Sequence, residues 1–178
     1  MRPDSAHRPL PIAASLPANT RIYAVGDIHG RADLLAETIF RIDEDLQRRP
    51  IQHAFEVYLG DYIDRGPDSK GVIDQLAVRL VQRHAICLRG NHEAILEAFL
   101  RDNPATIHHW AQLGALHTLA SYGVSGRAGA AAPSPVELQK SLRHAFPRTH
   151  DLFLQCLRNS FICGDFLFVH SGIRPGIP

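Results

Sequence analysis

The stretch GDIHG (residues 26–30) directly follows the apolar run IYAV (residues 22–25), and this junction decides how the fold is interpreted. A short β-branched and aromatic run that ends in glycine is typical of a buried strand entering a tight turn. Asp27 and His29 alternate with Ile28, so in an extended loop both side chains point the same way. A carboxylate and an imidazole so placed can chelate a divalent cation, although a capped turn with a solvated histidine is the alternative.

Two more polar turns follow apolar strands in the same way. AFEVYL (residues 54–59) runs into GDYIDRGP (residues 60–67), and HAICL (residues 84–88) runs into RGNHE (residues 89–93). Each of the three turns is followed by apolar residues at helical spacing, which predicts a helix after every turn. These helices are expected over residues 31–49, over residues 69–82 and from residue 94 onward.

Strand, turn and helix therefore alternate along this part of the chain. Units of about thirty residues have the length that a crossover between parallel strands requires, which predicts an α/β protein with a parallel sheet. Ligands of such sheets collect at the carboxyl ends of the strands. We therefore expect Asp27, His29, Asp61 and Asn91 to converge at one edge of the sheet.

The composition indicates one globular domain without a large charged surface. The 178 residues are 45% hydrophobic and 21% charged with a formal net charge of +1, so nucleic acid is not an expected partner. No apolar run approaches the length of a membrane span, so no membrane contact is expected. The cysteines form no CxxC pair and are typical of reduced thiols in a cytoplasmic protein. Prolines without an apolar signal region predict a flexible tail over residues 1–20.

The segment from about residue 103 to residue 158 is predicted to be a helical insertion. Helical spacing runs from Trp110 to Tyr122 as one helix, a Gly/Ala/Pro stretch follows over residues 123–135, and two further helices complete the segment. Trp110 is interpreted as a core anchor. The histidines of the segment lie outside the polar turns and are interpreted as surface or capping residues. They are His108, His109, His117, His144 and His150.

A β-hairpin is predicted after the helical segment. Residues 159–163 and 166–169 are largely apolar and flank the turn at residues 164–165. The second strand ends in HSG (residues 170–172), which is a fourth polar turn at a strand end and supplies a second imidazole, that of His170.

The phrases GDIHG, GDYIDRGP, RGNHE and VHSG, in this order, resemble those of the phosphoprotein phosphatase family of metallophosphoesterases. The bacterial serine/threonine phosphatase branch is the most similar, since IRPG often follows VHSG there, as it does here. The resemblance covers residues 21–176. It implies an α/β, calcineurin-like metallophosphoesterase fold, with a β-sandwich core flanked by helices, for a domain at residues 21–178.

The resemblance also implies roles for individual residues. The implied metal ligands are Asp27 and His29 on a first ion, Asp61 bridging both ions, and Asn91 and His170 on the second ion. The implied general acid is His92 with Asp64 as its partner, and Arg65 and Arg89 are implied to face the phosphate.

These residue types suit phosphate ester hydrolysis on chemical grounds. Two cations about 3.5–4 Å apart can acidify a shared water into a bridging hydroxide and hold the phosphoryl oxygens. The mixture of oxygen and nitrogen donors favours manganese, with iron or zinc as alternatives. A serine alkoxide leaves only with a proton, which an imidazole can supply. We therefore expect a metal-dependent phosphoric monoester hydrolase that acts on a phosphorylated protein or a small phosphate ester.

Two features of the resembled family have no counterpart by motif. They are a further metal-binding histidine well after the VHSG phrase and a second phosphate-binding arginine before that histidine. The expectation is therefore that the chain is the N-terminal two-thirds of a phosphatase, without its C-terminal strands and only weakly active. An inactive metal-binding fragment is one alternative. A symmetrical diadenosine tetraphosphate hydrolase is another, but its turn resembles GDLVNRGP, and Asp64 in place of asparagine favours the phosphatase.

Overall fold

The strands of the predicted strand–turn–helix units form a parallel sheet of three strands. The computed structural model describes residues 13–101, 103–124, 132–174 and 176. Strands β1 (Thr20–Val25), β2 (His53–Tyr58) and β3 (Ala85–Cys87) lie side by side in the order β1-β2-β3. β1 pairs with β2 in parallel from Thr20 opposite His53 to Val25 opposite Tyr58, so both strands end at the same edge. The predicted α/β class with a parallel sheet is confirmed.

Three helices connect and follow these strands where the apolar spacing predicts them. α1 (Ala32–Arg48) joins β1 to β2, α2 (Ser69–Gln82) joins β2 to β3, and α3 (Asn91–Arg101) follows β3. α2 begins after Asp68, whose side chain caps the helix by accepting a hydrogen bond from the Gly71 N–H at 2.7 Å. Each helix buries an apolar stripe in the core, which in α2 consists of Val72, Ile73 and Leu76.

An antiparallel hairpin forms a second sheet, as predicted. β4 (Ser160–Cys163) pairs with β5 (Phe166–Val169) across the turn at residues 164–165. Phe161 and Phe168 pack against a buried cluster formed by Val57, Ile86 and Leu88. A parallel bridge between Leu88 and Arg158 brings the chain alongside the end of β3 just before the hairpin. The hairpin is thereby attached to the sheet near the carboxyl end of β3.

Residues near the amino end contact this hairpin. The Ser15 N–H and hydroxyl both donate to Asp165 Oδ2 at 3.0 Å, and the Asp165 N–H donates to Ser15 O at 3.0 Å. The polar groups of Ser15 and the hairpin turn thus satisfy one another within the region predicted to be a flexible tail, and the extent of that tail stays a prediction. Residues 1–12 lie outside the described part of the chain.

The segment predicted to be an insertion is helical where the structure describes it. It contains a 3-10 helix at Pro104–Thr106, followed by α4 (Ile107–Leu113), α5 (Ala115–Ser121), α6 (Pro135–Ala145) and α7 (Arg148–Cys156). The single helix predicted from Trp110 to Tyr122 is wrong, because Gly114 adopts a left-handed conformation with φ 113° and separates α4 from α5. The stretch predicted over residues 123–135 lies largely outside the described residues. That the segment is an insertion stays a prediction.

Side chains of this segment mostly lie where the sequence places them. Trp110 is 0% exposed and its ring centroid lies 5.4 Å from that of Phe99, which confirms it as a core anchor. Four of the five histidines are exposed, namely His108, His109, His117 and His144.

The apolarity of the helices and the state of the cysteines are also predicted from the sequence. Among the described residues, no helix is long and apolar enough to cross a lipid bilayer. Cys87, Cys156 and Cys163 are free thiols.

His150 is buried, contrary to its interpretation as a surface or capping residue. Its Nε2 lies 2.8 Å from Asp74 Oδ1 on α2, and its Nδ1 lies 2.8 Å from the Tyr122 hydroxyl. Because a carboxylate only accepts, the neutral ring donates its Nε2–H to Asp74 and accepts from Tyr122 at Nδ1. Burial lowers the pKa of His150 by more than the hydrogen bond to Asp74 raises it. The packing of α7 against α2, which helical spacing alone does not reveal, removes this ring from water.

We predict that His150 makes the protein less stable as the pH falls. The unfolded chain takes up a proton near the ordinary histidine pKa of 6.5, whereas the folded protein resists protonation because its pKa is lower. The free energy of unfolding should therefore decrease as the pH is lowered through about 6.5 towards the folded-state pKa. Urea unfolding of the parent chain and of His150→Gln, at neutral and at mildly acidic pH, measures this effect.

The parent chain should lose part of its stability advantage over His150→Gln at the acidic pH. The matched control is His144→Gln, which makes the same chemical change at an exposed histidine. An advantage over His150→Gln that does not change with pH would contradict the prediction.

Candidate active site

The turns after β1 and β2 are joined by backbone hydrogen bonds. The N–H groups of Ile28 and His29 both donate to Asp61 O, at 3.0 and 2.9 Å, and the Gly30 N–H donates to Tyr62 O at 2.8 Å. These bonds place the side chains of the first turn beside those of the second. The structure thus brings Asp27, His29 and Asp61 to one edge of the parallel sheet.

Several residues of these turns adopt the left-handed backbone conformation. In the described part of the chain, four of the five non-glycine residues with positive φ lie here: His29 (45°), Asp61 (55°), Asp64 (71°) and Arg65 (64°). Each such residue costs on the order of 1–3 kcal/mol, and strained residues of this kind cluster at functional sites. The surrounding hydrogen bonds therefore hold the turns in a conformation that the isolated chain would avoid.

The buried carboxylate of Glu93 ties the second turn to the third. Its Oε2 accepts from the N–H groups of Asp61 at 2.9 Å and Gly90 at 3.0 Å, and its Oε1 accepts from the Tyr62 N–H at 2.8 Å. Burial raises the pKa of Glu93 to about 7, although these N–H groups favour its ionised form. A side chain at Gly90 is excluded, because its Cβ would lie 2.1 Å from Asp61 Oδ1. The RGNHE phrase alone predicts no role for Glu93, and its place in the first turn of α3 is the signal that points to one.

Two groups of potential metal ligands share Asp61. One group consists of His29, Asp61 and His92, the other consists of Asp27, Asp61 and His170, and the ligand atoms of each group lie within 4.8 Å of one another. This grouping differs from the predicted one, which pairs Asp27 with His29 and Asn91 with His170. Asn91 nevertheless lies beside the second group, with its Oδ1 3.2 Å from His170 Nε2.

The tautomers of His29 and His170 are those of metal ligands. His29 Nδ1 lies 2.9 Å from Ile63 O, and His170 Nδ1 lies 2.9 Å from Leu59 O. A carbonyl only accepts, so each ring carries its proton on Nδ1 and, when neutral, presents the Nε2 lone pair to the site.

These lone pairs face other acceptors. His29 Nε2 is buried without a hydrogen-bond partner among the described residues and lies 3.8 Å from carboxylate oxygens of both Asp27 and Asp61. His170 Nε2 lies 3.3 Å from Asp61 Oδ1. A lone pair that meets carboxylates and lacks a donor is satisfied by a cation, and the mixed oxygen and nitrogen donors suit a borderline divalent ion. The residues present therefore fit divalent metal binding.

His92 and Asp64 form a buried pair next to these ligands. His92 Nδ1 lies 2.5 Å from Asp64 Oδ2, and both side chains are at most 1% exposed. The His92 Nε2 lies 3.7 Å from Asp61 Oδ2. Burial lowers the pKa of His92, but the hydrogen bond to Asp64 and the charges of Asp61 and Asp64 together raise it by more. The pKa of His92 is therefore above its ordinary value. The structure thus brings together the two residues predicted to act as general acid and partner.

The two predicted phosphate-facing arginines differ in their surroundings. Arg65 is exposed at the rim, and its Nη2 lies 3.4 Å from His92 Nε2. Arg89 is engaged elsewhere, because its Nε lies 2.9 Å from Glu97 Oε2 and its Nη1 donates to Asn159 Oδ1 at 3.2 Å. The contact of Arg89 with a phosphate stays a prediction, and Glu97 is a partner that the sequence analysis did not identify.

Comparison with known proteins establishes the family. Residues 20–176 match the family described as calcineurin-like phosphoesterase. The chain therefore belongs to the calcineurin-like phosphoesterase family, which uses divalent metals. The predicted fold is confirmed, whereas membership of the serine/threonine phosphatase branch stays a proposal.

Two curated relatives have names that point to different substrates. The chain is 28% identical over 159 residues to an asymmetrical bis(5'-nucleosyl)-tetraphosphatase of Oceanobacillus iheyensis, covering 86% of this chain and 56% of the relative. It is 41% identical over 78 residues to a provisionally named serine/threonine-protein phosphatase of Schizosaccharomyces pombe, covering 43% of this chain and 24% of the relative. The chain thus spans about half or less of the curated relatives that it matches. The alternative expected from the sequence is a symmetrical hydrolase, whereas the first relative is named as an asymmetrical one.

Solved structures share the fold. A protein provisionally described as a diadenosine tetraphosphatase superposes with a TM-score of 0.51 at 21% identity, over 91% of this chain and 58% of that one. A hypothetical protein of Pyrococcus horikoshii superposes with a TM-score of 0.50 at 12% identity, over 80% of this chain and 49% of that one. At these identities the likeness concerns the fold alone.

We predict that Asp61→Asn removes metal from both ligand groups, because Asp61 is the carboxylate that both groups share. His29→Ala should lower metal content at one group only. Elemental analysis after dialysis against manganese measures the metal bound per chain. Asp33→Asn is the matched control, since Asp33 pairs with Arg31 at the surface and should leave metal content unchanged. Equal metal content in Asp61→Asn and the parent chain would contradict the shared role of Asp61.

Proposed function

We propose that this protein hydrolyses phosphate monoesters with two divalent metal ions, and that its substrates are phosphorylated serine or threonine side chains or small phosphate esters. The observation that carries the proposal is the buried His92–Asp64 pair, with a 2.5 Å contact, whose imidazole adjoins Asp61, the carboxylate that both ligand groups share. A metal-binding site without hydrolytic function needs no such proton donor. The pairing of an imidazole acid with clustered metal ligands is what a poor leaving group requires.

The metal ions would be held by Asp61 and by the side chains grouped around its carboxylate. These residues are Asp27, His29, Asp61, Asn91 and His170, and manganese is the proposed ion, with iron or zinc as alternatives. The bound ions would supply an activated water at neutral pH and positive charge against the phosphoryl oxygens. The backbone carbonyls of Ile63 and Leu59 fix the ring orientation of His29 and His170 for this purpose.

His92 would donate the proton that the leaving alkoxide needs. Its Nδ1–H is committed to Asp64, so Nε2 is the nitrogen that can face the ester oxygen. This Nε2 lies 3.7 Å from Asp61 Oδ2, which places the acid within reach of a phosphoryl group bound beside Asp61. Because His92 also belongs to one of the ligand groups, metal binding is the alternative role for the same nitrogen.

Arg65 would bind the non-reacting oxygens of the phosphate. Its guanidinium lies at the exposed rim with Nη2 3.4 Å from His92 Nε2, so a phosphate that contacts His92 also comes within its reach. A planar guanidinium can donate two parallel hydrogen bonds to two phosphate oxygens. Arg89 would join it only by leaving Glu97 and Asn159.

A second candidate function is hydrolysis of a dinucleoside tetraphosphate. It is favoured by the likeness to the asymmetrical bis(5'-nucleosyl)-tetraphosphatase, which at 28% identity covers 86% of this chain. The same ligand groups could serve this reaction, but a nucleotide leaving group is far less basic than an alkoxide and needs an acid less. The buried acid pair therefore favours the monoester, and the relative favours the tetraphosphate.

A direct comparison of substrates tests the proposal. We expect the 178-residue chain, supplied with millimolar manganese, to release phosphate from a phosphoserine peptide faster than it cleaves diadenosine tetraphosphate. Asp61→Asn is the negative control and should abolish both activities. Faster cleavage of the tetraphosphate would support the second candidate, with ATP and AMP as the products of asymmetrical cleavage and two ADP as those of symmetrical cleavage. No hydrolysis of either compound would contradict both.

The role of His92 has its own test. We predict that His92→Asn lowers the rate on a phosphoserine peptide about 10²- to 10⁴-fold, the usual contribution of a general acid, and lowers the rate on nitrophenyl phosphate much less. Nitrophenolate leaves without a proton, whereas an alkoxide does not. Steady-state rates on both substrates give the two ratios, with His144→Asn as the matched control at an exposed position. Equal losses on both substrates would assign His92 to metal or phosphate binding.

A further inference from the structure

The carboxylate of Asp64 has no access to water. Its side chain is 0% exposed, and a buried carboxylate must receive hydrogen bonds to remain ionised. Three side chains from three different helices supply them, namely His92 of α3, Trp110 of α4 and Thr118 of α5. Two of these donors thus come from the helical segment that the sequence analysis treated as an insertion.

The three donors divide the two oxygens of Asp64 between them. Oδ2 accepts from His92 Nδ1 at 2.5 Å and from Trp110 Nε1 at 2.7 Å, while Oδ1 accepts from the Thr118 hydroxyl at 2.5 Å. With His92 alone, the carboxylate could rotate and offer either oxygen in several directions. The donors from Trp110 and Thr118 remove that freedom and leave His92 a defined direction of approach.

Thr118 also holds the main chain of Asp64. The Asp64 N–H is shared between Thr118 Oγ1 at 2.9 Å and Ser69 Oγ at 3.0 Å. Because Thr118 gives its only proton to Asp64 Oδ1, the Ser69 hydroxyl donates to Thr118 across their 2.9 Å contact. These bonds fix a residue whose φ is 71°, so one hydroxyl restrains both the backbone and the carboxylate of Asp64.

The break between α4 and α5 allows this contact. Gly114 lies at the corner with φ 113°, and a Cβ there would come within 2.8 Å of Arg65 N and 3.3 Å of Asp64 Cβ. Only glycine lets the corner approach the turn so closely. The break at Gly114 places Trp110 on α4 and Thr118 on α5. Each of these two short helices therefore presents one donor to the carboxylate of Asp64.

We propose that Trp110 and Thr118 are positioning residues that hold Asp64 in the orientation that accepts the His92 Nδ1–H, and so direct His92 Nε2 towards the ester. The inference deepens the proposed function and rests on the acid role of His92. The competing explanation is that the two residues only stabilise the packing of α4 and α5. The two explanations differ in what happens when a hydrogen bond is removed and the shape of the side chain is kept.

Thr118→Val removes one hydrogen bond with little change in shape, and Trp110→Phe removes the other but also leaves a cavity, because the phenyl ring is smaller than the buried indole. Thr118→Ser restores the hydroxyl and should rescue what Thr118→Val loses. Thr106→Val is the matched control, because it makes the same chemical change in the same segment at an exposed hydroxyl that bonds to Asn103 O. Urea unfolding identifies variants that remain folded, and if Trp110→Phe is not folded, Thr118→Val and Thr118→Ser decide the matter.

The first readout needs neither metal nor substrate. The proton on His92 Nδ1 is held by a carboxylate at 2.5 Å and should give a downfield resonance in proton NMR of the histidine-labelled 178-residue chain. This resonance should move or disappear in Trp110→Phe and Thr118→Val, and remain in Thr118→Ser and Thr106→Val. An unchanged resonance in folded Trp110→Phe and Thr118→Val would overturn the proposal.

The second readout is the dependence of rate on the leaving group. Loss of the hydrogen-bonded partner of a metal ligand typically costs about ten- to a hundredfold in affinity or activity. We expect a loss of this size in kcat on a phosphoserine peptide, with KM little changed and with a much smaller loss on nitrophenyl phosphate. Equal losses on both substrates would overturn the positioning role. If the parent chain hydrolyses neither compound, the proposed function fails for this chain, and the resonance alone decides the role of Trp110 and Thr118.

Discussion

The peptide unit and side chain of Asp61 are the element on which the rest of the site depends. Its carbonyl receives the N–H groups of Ile28 and His29, which fixes the first turn, and its own N–H is held by Glu93, which fixes the third. Its carboxylate belongs to both groups of potential metal ligands. A single residue therefore connects the backbone geometry of three turns to the chemistry at their tips, and a shift of the Asp61 main chain would displace ligands on every side.

Polar bonds hold the site in place, in addition to the apolar packing of its turns against the core. His29, Asp61, Asp64 and Arg65 all have positive φ, a conformation that side chains other than glycine adopt at a cost. The bonds that compensate this cost are the ones that orient the functional groups, such as those of Glu93 to three N–H groups. The strained residues at the strand ends lower the free energy of unfolding, and the buried core beneath them offsets this loss, as is common at functional sites.

Much of the fold follows from periodicity, because a parallel sheet leaves few arrangements for alternating strands and helices. The strand-end positions of Asp27 and Asp61 could be predicted for that reason, and that of His170 from the apolar strand of the hairpin that precedes it. The supports of the site could not be predicted in the same way. The contacts of Trp110 and Thr118 with Asp64 span 46 and 54 positions. Helical spacing predicts which face of a helix is buried, but it does not predict which residues that face contacts.

The sequence interval between contacts also indicates the order in which the site is assembled. The bond from His29 to the Ile63 carbonyl spans 34 positions, whereas the bond from His170 to the Leu59 carbonyl spans 111. Closing the longer loop costs about 1 kcal/mol more in chain entropy, so we expect the hairpin to dock after the βα units have formed. Part of the binding free energy of an ion held through His170 would then be used to dock the hairpin. The affinity of that ion would therefore depend on the stability of the docked hairpin.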